Sequence, residues 1–128
     1  MFDEIKQSVA EGTPVAQLHN TKAFVTGLAY FDGGFFWECH DVLEAVWRHT
    51  KDPSAERGMV LALIQLANAR LKVLMLQPRA AWRLCDIVDT RLASCPSDRL
   101  VLGLDVNEMR ERVATARGIA KYAMQNPY

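Results

Sequence analysis

A histidine and a glutamate four positions apart, His40 and Glu44, are the residues of this chain whose types and spacing suit chemistry. On a helix, side chains at positions i and i+4 lie one turn apart on the same face, so these two can meet. A carboxylate beside an imidazole orients the ring, which suits proton transfer. The same arrangement also orients a histidine that ligates a metal ion. The pair therefore predicts a polar site.

The element that must position this pair is a segment without glycine or proline, residues 35–48. Two glycines precede it and a Lys-Asp-Pro sequence follows it, so we predict one helix of about four turns. At 100° per residue, four of its side chains fall within an arc of roughly 80°: Trp37, His40, Glu44 and Trp47. We expect this arc to lie on or beside the buried face, with two indoles flanking the pair.

Two interpretations of the pair stay open. A buried carboxylate is stable only when it is paired and hydrogen-bonded, and a buried indole N–H also needs an acceptor. The pair can therefore be a polar network that pins the helix to its neighbours. Alternatively, it can be a catalytic, metal-binding or ligand-binding site.

This segment resembles a family of small, all-helical prokaryotic proteins catalogued only as domain of unknown function 309. The motif of that family is an aromatic residue followed by Glu-x-His-Glu-x-x-Glu-x-x-Trp. Four positions match residue by residue: Glu38, His40, Glu44 and Trp47. Asp41 replaces the more usual glutamate and keeps its charge. The resemblance covers about residues 23–93 and more weakly 103–106, and it implies a helical fold and a site without an activity.

The next predicted helix, over residues 54–77, is apolar nearly all round, so its polar residues are informative. One stripe of it contains Leu61, Gln65, Asn68 and Lys72. The resemblance also places a glutamine like Gln65 in an apolar run here. We predict that Gln65, with Asn68 as a second candidate, faces His40 and Glu44. The alternative is that Gln65 bonds a backbone carbonyl and that Asn68 is exposed.

An enzyme is one functional hypothesis, either metal-dependent or acid–base and hydrolase-like. For acid–base catalysis, His40 transfers the proton and Glu44 orients it, while Trp37 and Trp47 form the walls of a pocket and Gln65 binds a polar group. A catalytic metal needs at least three protein ligands. Since His49 and Glu38 point far from His40 around the helix, no metal site and no cofactor are identified.

A binding module is the other functional hypothesis, because packed helical hairpins leave grooves for a small molecule, a peptide or another helix. The formal net charge is zero, which argues against nucleic-acid binding. Residues 1–64 hold 5 basic and 9 acidic groups, net −4, and residues 65–128 hold 10 basic and 6 acidic groups, net +4. This asymmetry favours acidic and basic helices that face each other within the fold or across a homo-oligomer.

Cysteine usage and hydropathy predict a cytoplasmic protein. The three cysteines, Cys39, Cys85 and Cys95, form no Cys-x-x-Cys pair, and we expect Cys39 to be a small buried apolar residue. The first residues carry acid where a signal peptide carries base. No segment approaches the roughly 20 apolar residues of a membrane span.

The fold class follows from periodicity and helix breakers. No alternating strand pattern or hairpin turn is present, and glycines, prolines and caps divide the chain into helical segments. We predict one all-α domain over residues 1–128, with five or six helices arranged as antiparallel hairpins. The expected helices are residues 3–11, 21–32, 35–48, 54–77, 78–93 and about 105–125, and Thr13–Pro14 is a predicted restart after the first of them.

Overall fold

A computed structural model describes residues 3–8, 20–51 and 54–127. These residues form the following helices: α1 (Asp3–Lys6), α2 (Lys22–Asp32), α3 (Phe36–Arg48), α4 (Ala55–Leu74), α5 (Pro78–Ala93) and α6 (Val106–Gln125). Helices account for 76% of the described residues, and no strand occurs among them, which confirms the all-α bundle. The helix predicted over residues 3–11 is shorter in the described residues, where it ends at Lys6 and a turn follows at residues 7 and 8. Residues 9–11 and the helix start predicted at Thr13–Pro14 lie outside the described residues.

The turn between α2 and α3 follows directly from its two glycines. Gly34 has a φ of +83°, a left-handed conformation that glycine adopts without strain. Its N–H donates to the carbonyl of Phe31 at 3.1 Å, and the N–H of Phe35 donates to the carbonyl of Tyr30 at 2.8 Å. The Phe35 ring packs edge-on against Tyr30. This C-terminal motif closes α2 and sets where α3 begins.

Helix α4 begins where the sequence predicts and ends earlier. The Ser54 hydroxyl accepts a hydrogen bond from the N–H of Arg57 at 3.0 Å, so Ser54 is the N-cap of this helix. The predicted end at Gln77 is wrong, because the helix stops at Leu74. Leu76 takes a left-handed φ of +62°, and the N–H of Gln77 bonds back to the carbonyl of Lys72 at 2.8 Å. The chain thus ends the helix through a left-handed leucine before the proline.

Helix α4 is the central element of the bundle. It packs against α3, α5 and α6, while α2 packs on α3, α6 on α5, and α1 on both α2 and α3. Its fully buried large side chains include Met59, Val60, Leu63 and Leu66. The nearly all-round apolar composition of this helix is therefore explained by its neighbours. In the described residues, no helix has the length and hydropathy that a membrane span requires.

Helices α2 and α3 approach each other closely at a glycine. A Cβ atom placed on Gly27 would lie 2.5 Å from Cδ2 and 2.8 Å from Cγ of Leu43. Leu43 is fully buried, so it has little room to move. This contact fixes which face of α3 meets the core, and it thereby fixes the direction of the candidate site.

Candidate functional site

Helix α3 directs its candidate residues outward. Its buried face consists of small and branched side chains: Phe36, Cys39, Val42, Leu43, Ala45 and Val46. Trp37 lies about 180° from Val46 around the helix, and it is 50% exposed. The predicted burial of the His40–Glu44 pair is therefore wrong. Of the two indoles that flank the pair, Trp37 faces solvent, whereas Trp47 is partly buried and packs against the core.

The outward face of α3, defined here as Trp37, His40, Glu44 and Arg48, brings the predicted pair together. His40 Nε2 lies 3.4 Å from Oε1 of Glu44, and the two side chains are 24% and 42% exposed. His40 Nδ1 lies 3.1 Å from the carbonyl oxygen of Trp37. The Nδ1 contact is a hydrogen bond only when Nδ1 carries a proton, because a carbonyl oxygen only accepts. The ring is thus held by the Trp37 carbonyl on one side, and its Nε2 faces the Glu44 carboxylate on the other.

Glu44 lies between two basic side chains, His40 and Arg48. Its Oε2 lies 3.6 Å from Nη2 of Arg48, on the side away from the His40 contact. Both distances are long for charge-assisted hydrogen bonds, and all three side chains reach solvent. Exposed pairs of this kind contribute between zero and about 1 kcal/mol. These contacts therefore position the His40–Glu44 pair but contribute little to the stability of the fold.

Trp37 contributes an aromatic surface next to the histidine. Its ring lies edge-on to the His40 imidazole, with centroids 6.2 Å apart and planes at 73°. Half of this large apolar side chain nevertheless faces solvent. An exposed tryptophan beside a titratable pair is a composition suited to recognition.

Trp47 belongs to a different cluster, at the C-terminal end of α3. The guanidinium of Arg57 stacks on its ring at 4.1 Å and donates hydrogen bonds to the carbonyls of Trp47 and Thr50 at 3.1 and 2.8 Å. The Thr50 hydroxyl, buried with its residue, donates to the carbonyl of Val46 at 2.6 Å. These bonds add donors to the carbonyls at the helix end, where Val46 and Trp47 accept short-range backbone bonds from His49 and Thr50. Trp47 therefore helps to close α3, while its own indole N–H is buried without an acceptor among the described residues.

The cavity beside Trp47 does not include Trp37, so it is not the pocket between the two tryptophans that the sequence predicted. It has a volume of about 350 Å³, and Arg57, Leu61 and Arg91 line it together with two serines. Neither His40 nor Glu44 is among its lining residues. The cavity thus lies next to the helix-closing cluster and apart from the pair.

Gln65 lies at the height of His40 along the α3–α4 hairpin. The ring contacts between Phe36 and Arg70 and between Trp47 and Arg57 bracket both residues, and a constant rise per residue places Gln65 opposite His40. The Gln65 carbonyl accepts a hydrogen bond from the amide of Asn68 at 3.4 Å. No hydrogen bond among the described residues joins Gln65 to His40 or Glu44, so its predicted role there stays a prediction.

Glu38 lies apart from the pair. It occupies the first turn of α3, where a negative charge interacts favourably with the free N–H groups of the helix start. Its carboxylate forms no ion pair with another described residue. The position matches the family motif, and a helix-stabilising role accounts for it.

Among the described residues, proton transfer at His40 is the chemistry that the outward face offers. No group of three or more His, Cys, Asp or Glu side chains suited to one metal ion occurs in residues 3–8, 20–51 and 54–127. Cys39 is fully buried, as predicted, and that burial, with a smaller contribution from Asp32, raises the pKa of its thiol to about 12. A thiol of this kind is not a nucleophile at neutral pH.

Sequence reasoning missed two contacts that surround the site. Lys6 Nζ of α1 lies 2.8 Å from Oδ2 of Asp41, so the first helix is tied to the flank of α3. Arg57 of α4 holds the end of α3 through two carbonyls. Both contacts join residues of different helices, and neither has a local spacing that could have revealed it.

Residues 24–84 match the model of a family described as a domain of unknown function (DUF309). The matched range begins in α2, ends in α5 and includes all of α3 and α4. It therefore contains every candidate residue from Trp37 to Gln65. No curated protein and no solved structure matches the chain.

Proposed function

Because this chain belongs to the DUF309 family, whose description gives no activity, we propose a function from the geometry of α3: the protein is a binding protein that self-associates through the outward face of that helix. The observation that carries this proposal is the exposure of Trp37, 50% of whose surface faces solvent beside the partly exposed His40–Glu44 pair. Trp and Arg side chains supply a large share of the binding energy in protein interfaces.

The composition of the face favours a second copy of the chain as the partner. A two-fold interface brings the same patch together from both subunits, so the patch must complement itself. The outward face holds an acid and a base side by side, Glu44 and Arg48. In a two-fold pair, each can meet its opposite on the other subunit.

Exposed apolar area elsewhere on the α2–α3 hairpin is compatible with an interface larger than the outward face itself. A stable interface buries roughly 800 Å² on each partner, which one tryptophan cannot supply. Two further large apolar side chains of this hairpin are exposed, Val25 and Phe35.

Sedimentation analysis over a wide concentration range tests the proposal. The unmodified protein is expected to dimerise, and Trp37→Ala is expected to weaken dimerisation at least about tenfold, which corresponds to the loss of an interface anchor. Tyr122→Ala is the matched control, since Tyr122 is an aromatic residue of α6 that is 69% exposed. A monomer at every concentration, or equal weakening by both variants, would refute the proposal.

Acid–base catalysis is the second candidate function, and the 3.4 Å contact between His40 and Glu44 favours it. His40 Nε2 is the proton-transfer atom, Glu44 orients the ring, and Trp37 offers an apolar surface to a substrate. A panel of chromogenic esters and phosphoesters tests this candidate. Hydrolysis that is lost in His40→Ala, with the oligomeric state unchanged, supports it, and the absence of turnover above the buffer rate removes it.

A further inference from the structure

A second site lies beside the α2–α3 turn, where two arginines line one cavity. The cavity has a volume of about 240 Å³. Side chains from α2, α3, α4 and α6 line it: Phe31, Asp32, Phe36, Arg70, Arg112 and Thr115. This site is independent of the proposed self-association, since none of these residues belongs to the outward face of α3.

Arg70 is the unusual residue of this cavity. Its guanidinium is half-buried and lies over the Phe36 ring at 4.9 Å from the centroid. The other half-buried arginines of the described chain, Arg57, Arg112 and Arg117, donate to carbonyls or carboxylates. For Arg70, the described residues supply no hydrogen-bond acceptor and no carboxylate. Burial without a counter-charge lowers the pKa of Arg70, as expected for a cation that lacks a partner.

Arg112 brings a second guanidinium to the same cavity. It lies over the Phe31 ring at 5.4 Å from the centroid. Its Nη1 donates to Oδ1 of Asp32 at 3.4 Å, a long contact to a carboxylate that is 65% exposed. A guanidinium has five N–H donors, so most of those on Arg112 are available to a ligand.

The two phenylalanines hold the guanidiniums in place. Phe31 and Phe36 pack edge to face, with centroids 5.3 Å apart and planes at 74°. Each ring carries one arginine through a cation–π contact. Both rings are buried, so the cations are restricted before any ligand arrives. Such restriction reduces the entropy that binding must otherwise overcome.

We propose that Arg70 and Arg112 form a binding site for a small oxyanion, either a carboxylate or a phosphate. Paired guanidiniums recognise both groups through charge-assisted hydrogen bonds. The cavity is smaller than the range of roughly 300 to 1,000 Å³ typical of drug-sized ligands, so the site takes a small molecule or the small acidic end of one. Thr115 donates its hydroxyl hydrogen to the carbonyl of Glu111, and recognition therefore depends on the arginines.

Asp32 is the competitor that a ligand must displace. Its carboxylate occupies the Arg112 side of the cavity, and its exposure lets it rotate into water. A bound oxyanion would otherwise lie close to this negative charge. Replacing Asp32 with asparagine removes the competing charge and leaves both arginines, so this variant is expected to bind an oxyanion more tightly than the unmodified protein.

Isothermal titration calorimetry at constant ionic strength, with inorganic phosphate in one series and benzoate in another, tests the site. The unmodified protein is expected to bind at least one of the two with one-to-one stoichiometry. Arg70→Met is expected to weaken binding at least about tenfold, because it removes a charge-assisted partner. Binding of phosphate alone identifies a phosphoryl group as the ligand, and binding of benzoate alone identifies a carboxylate.

Arg110→Met is the matched control, since it removes the same charge from an exposed arginine of α6 that does not line the cavity. Equal weakening by Arg70→Met and Arg110→Met would show only bulk charge and would overturn the site. Failure of the unmodified protein and of Asp32→Asn to bind either anion would also overturn it. If Arg70→Met does not fold, tighter binding by Asp32→Asn supports the site and unchanged binding rejects it.

Discussion

The thirteen residues of α3 divide into two faces that differ in burial and in the strength of their contacts. Toward the core, Cys39, Val42, Leu43 and Val46 are fully buried and fix the position of the helix. Toward solvent, Trp37, His40 and Glu44 contact one another through long or edge-on interactions and remain partly exposed. The fold therefore depends on the buried face, while the outward face is accessible to a ligand or a partner.

This difference shows that the burial of a His–Glu motif must be known before the motif is assigned a structural or a functional role. A histidine and a glutamate at helical spacing look the same in a sequence whether they are buried or exposed. Burial makes such a pair part of the fold, because an unpaired partner would then cost several kcal/mol. Exposure removes that constraint. Stability measurements on the two faces therefore separate structural from functional residues.

The largest expected effect is on the buried face. Leu43→Ala should lower the free energy of unfolding by about 2 to 5 kcal/mol, because it removes a fully buried side chain and leaves a cavity against Gly27. Urea unfolding followed by circular dichroism measures this loss. Leu100→Ala is the control, since Leu100 is an exposed leucine, and it should change stability little. Similar losses in both variants would contradict the assigned core face.

A smaller loss of stability is expected at the C-terminal end of α3, which Arg57 of α4 contacts through two carbonyls. Arg57→Met should lower the free energy of unfolding by about 1 to 3 kcal/mol, since the carbonyls of Trp47 and Thr50 lose a charged donor. Thermal and urea unfolding provide the measurement. Arg91→Met removes the same charge from the same cavity and should be nearly neutral, because Arg91 is exposed. A neutral Arg57→Met would mean that water replaces the arginine.

Local rules account for the part of the fold that the sequence predicted. Gly34 ends α2, Ser54 caps α4 and Pro78 opens α5, and each acts on its own neighbours in the chain. The contact between His40 and Glu44 is equally local, since i and i+4 side chains meet on any helix. Most helix boundaries and this pair were therefore available from the sequence, apart from the early ends of α1 at Lys6 and of α4 before a left-handed Leu76.

The rotation of α3 was not available, because it depends on packing between helices. Tryptophan is apolar in area and polar at its N–H, so its presence does not tell which face is buried. The close approach of Gly27 to Leu43 settles the rotation, and no spacing within α3 encodes it. The same reason hides the contact between Lys6 and Asp41, which joins two helices.

The glycine contact gives a sharper test of that rotation. Gly27→Ala gains roughly 1 kcal/mol of helix propensity but forces a Cβ within 2.5 Å of Leu43, and overpacking costs about 1 to 3 kcal/mol. We expect a net loss of about 1 kcal/mol in the free energy of unfolding. Gly118→Ala, in α6 with no atom within 4 Å of the new Cβ, should instead gain up to about 1 kcal/mol. If both variants gain stability, α2 and α3 are not in close contact.

The smallest effect is expected on the outward face, and it decides what the His40–Glu44 pair is for. His40→Ala and Glu44→Gln should each change the free energy of unfolding by less than about 0.5 kcal/mol, because the pair is partly exposed and its contact is long. Urea unfolding of both variants and of the double variant measures the change and the coupling between the two residues.

A loss of several kcal/mol in either single variant would show that the pair is a structural network after all. A neutral result has a different meaning, because a residue that the fold does not need, beside a half-exposed tryptophan, is then available for binding or catalysis. The same two proteins, once shown to be stable, can be compared in sedimentation and in hydrolysis assays. A change in association or in turnover without a change in stability then assigns the pair a role in binding or catalysis and excludes a role in stabilising the fold.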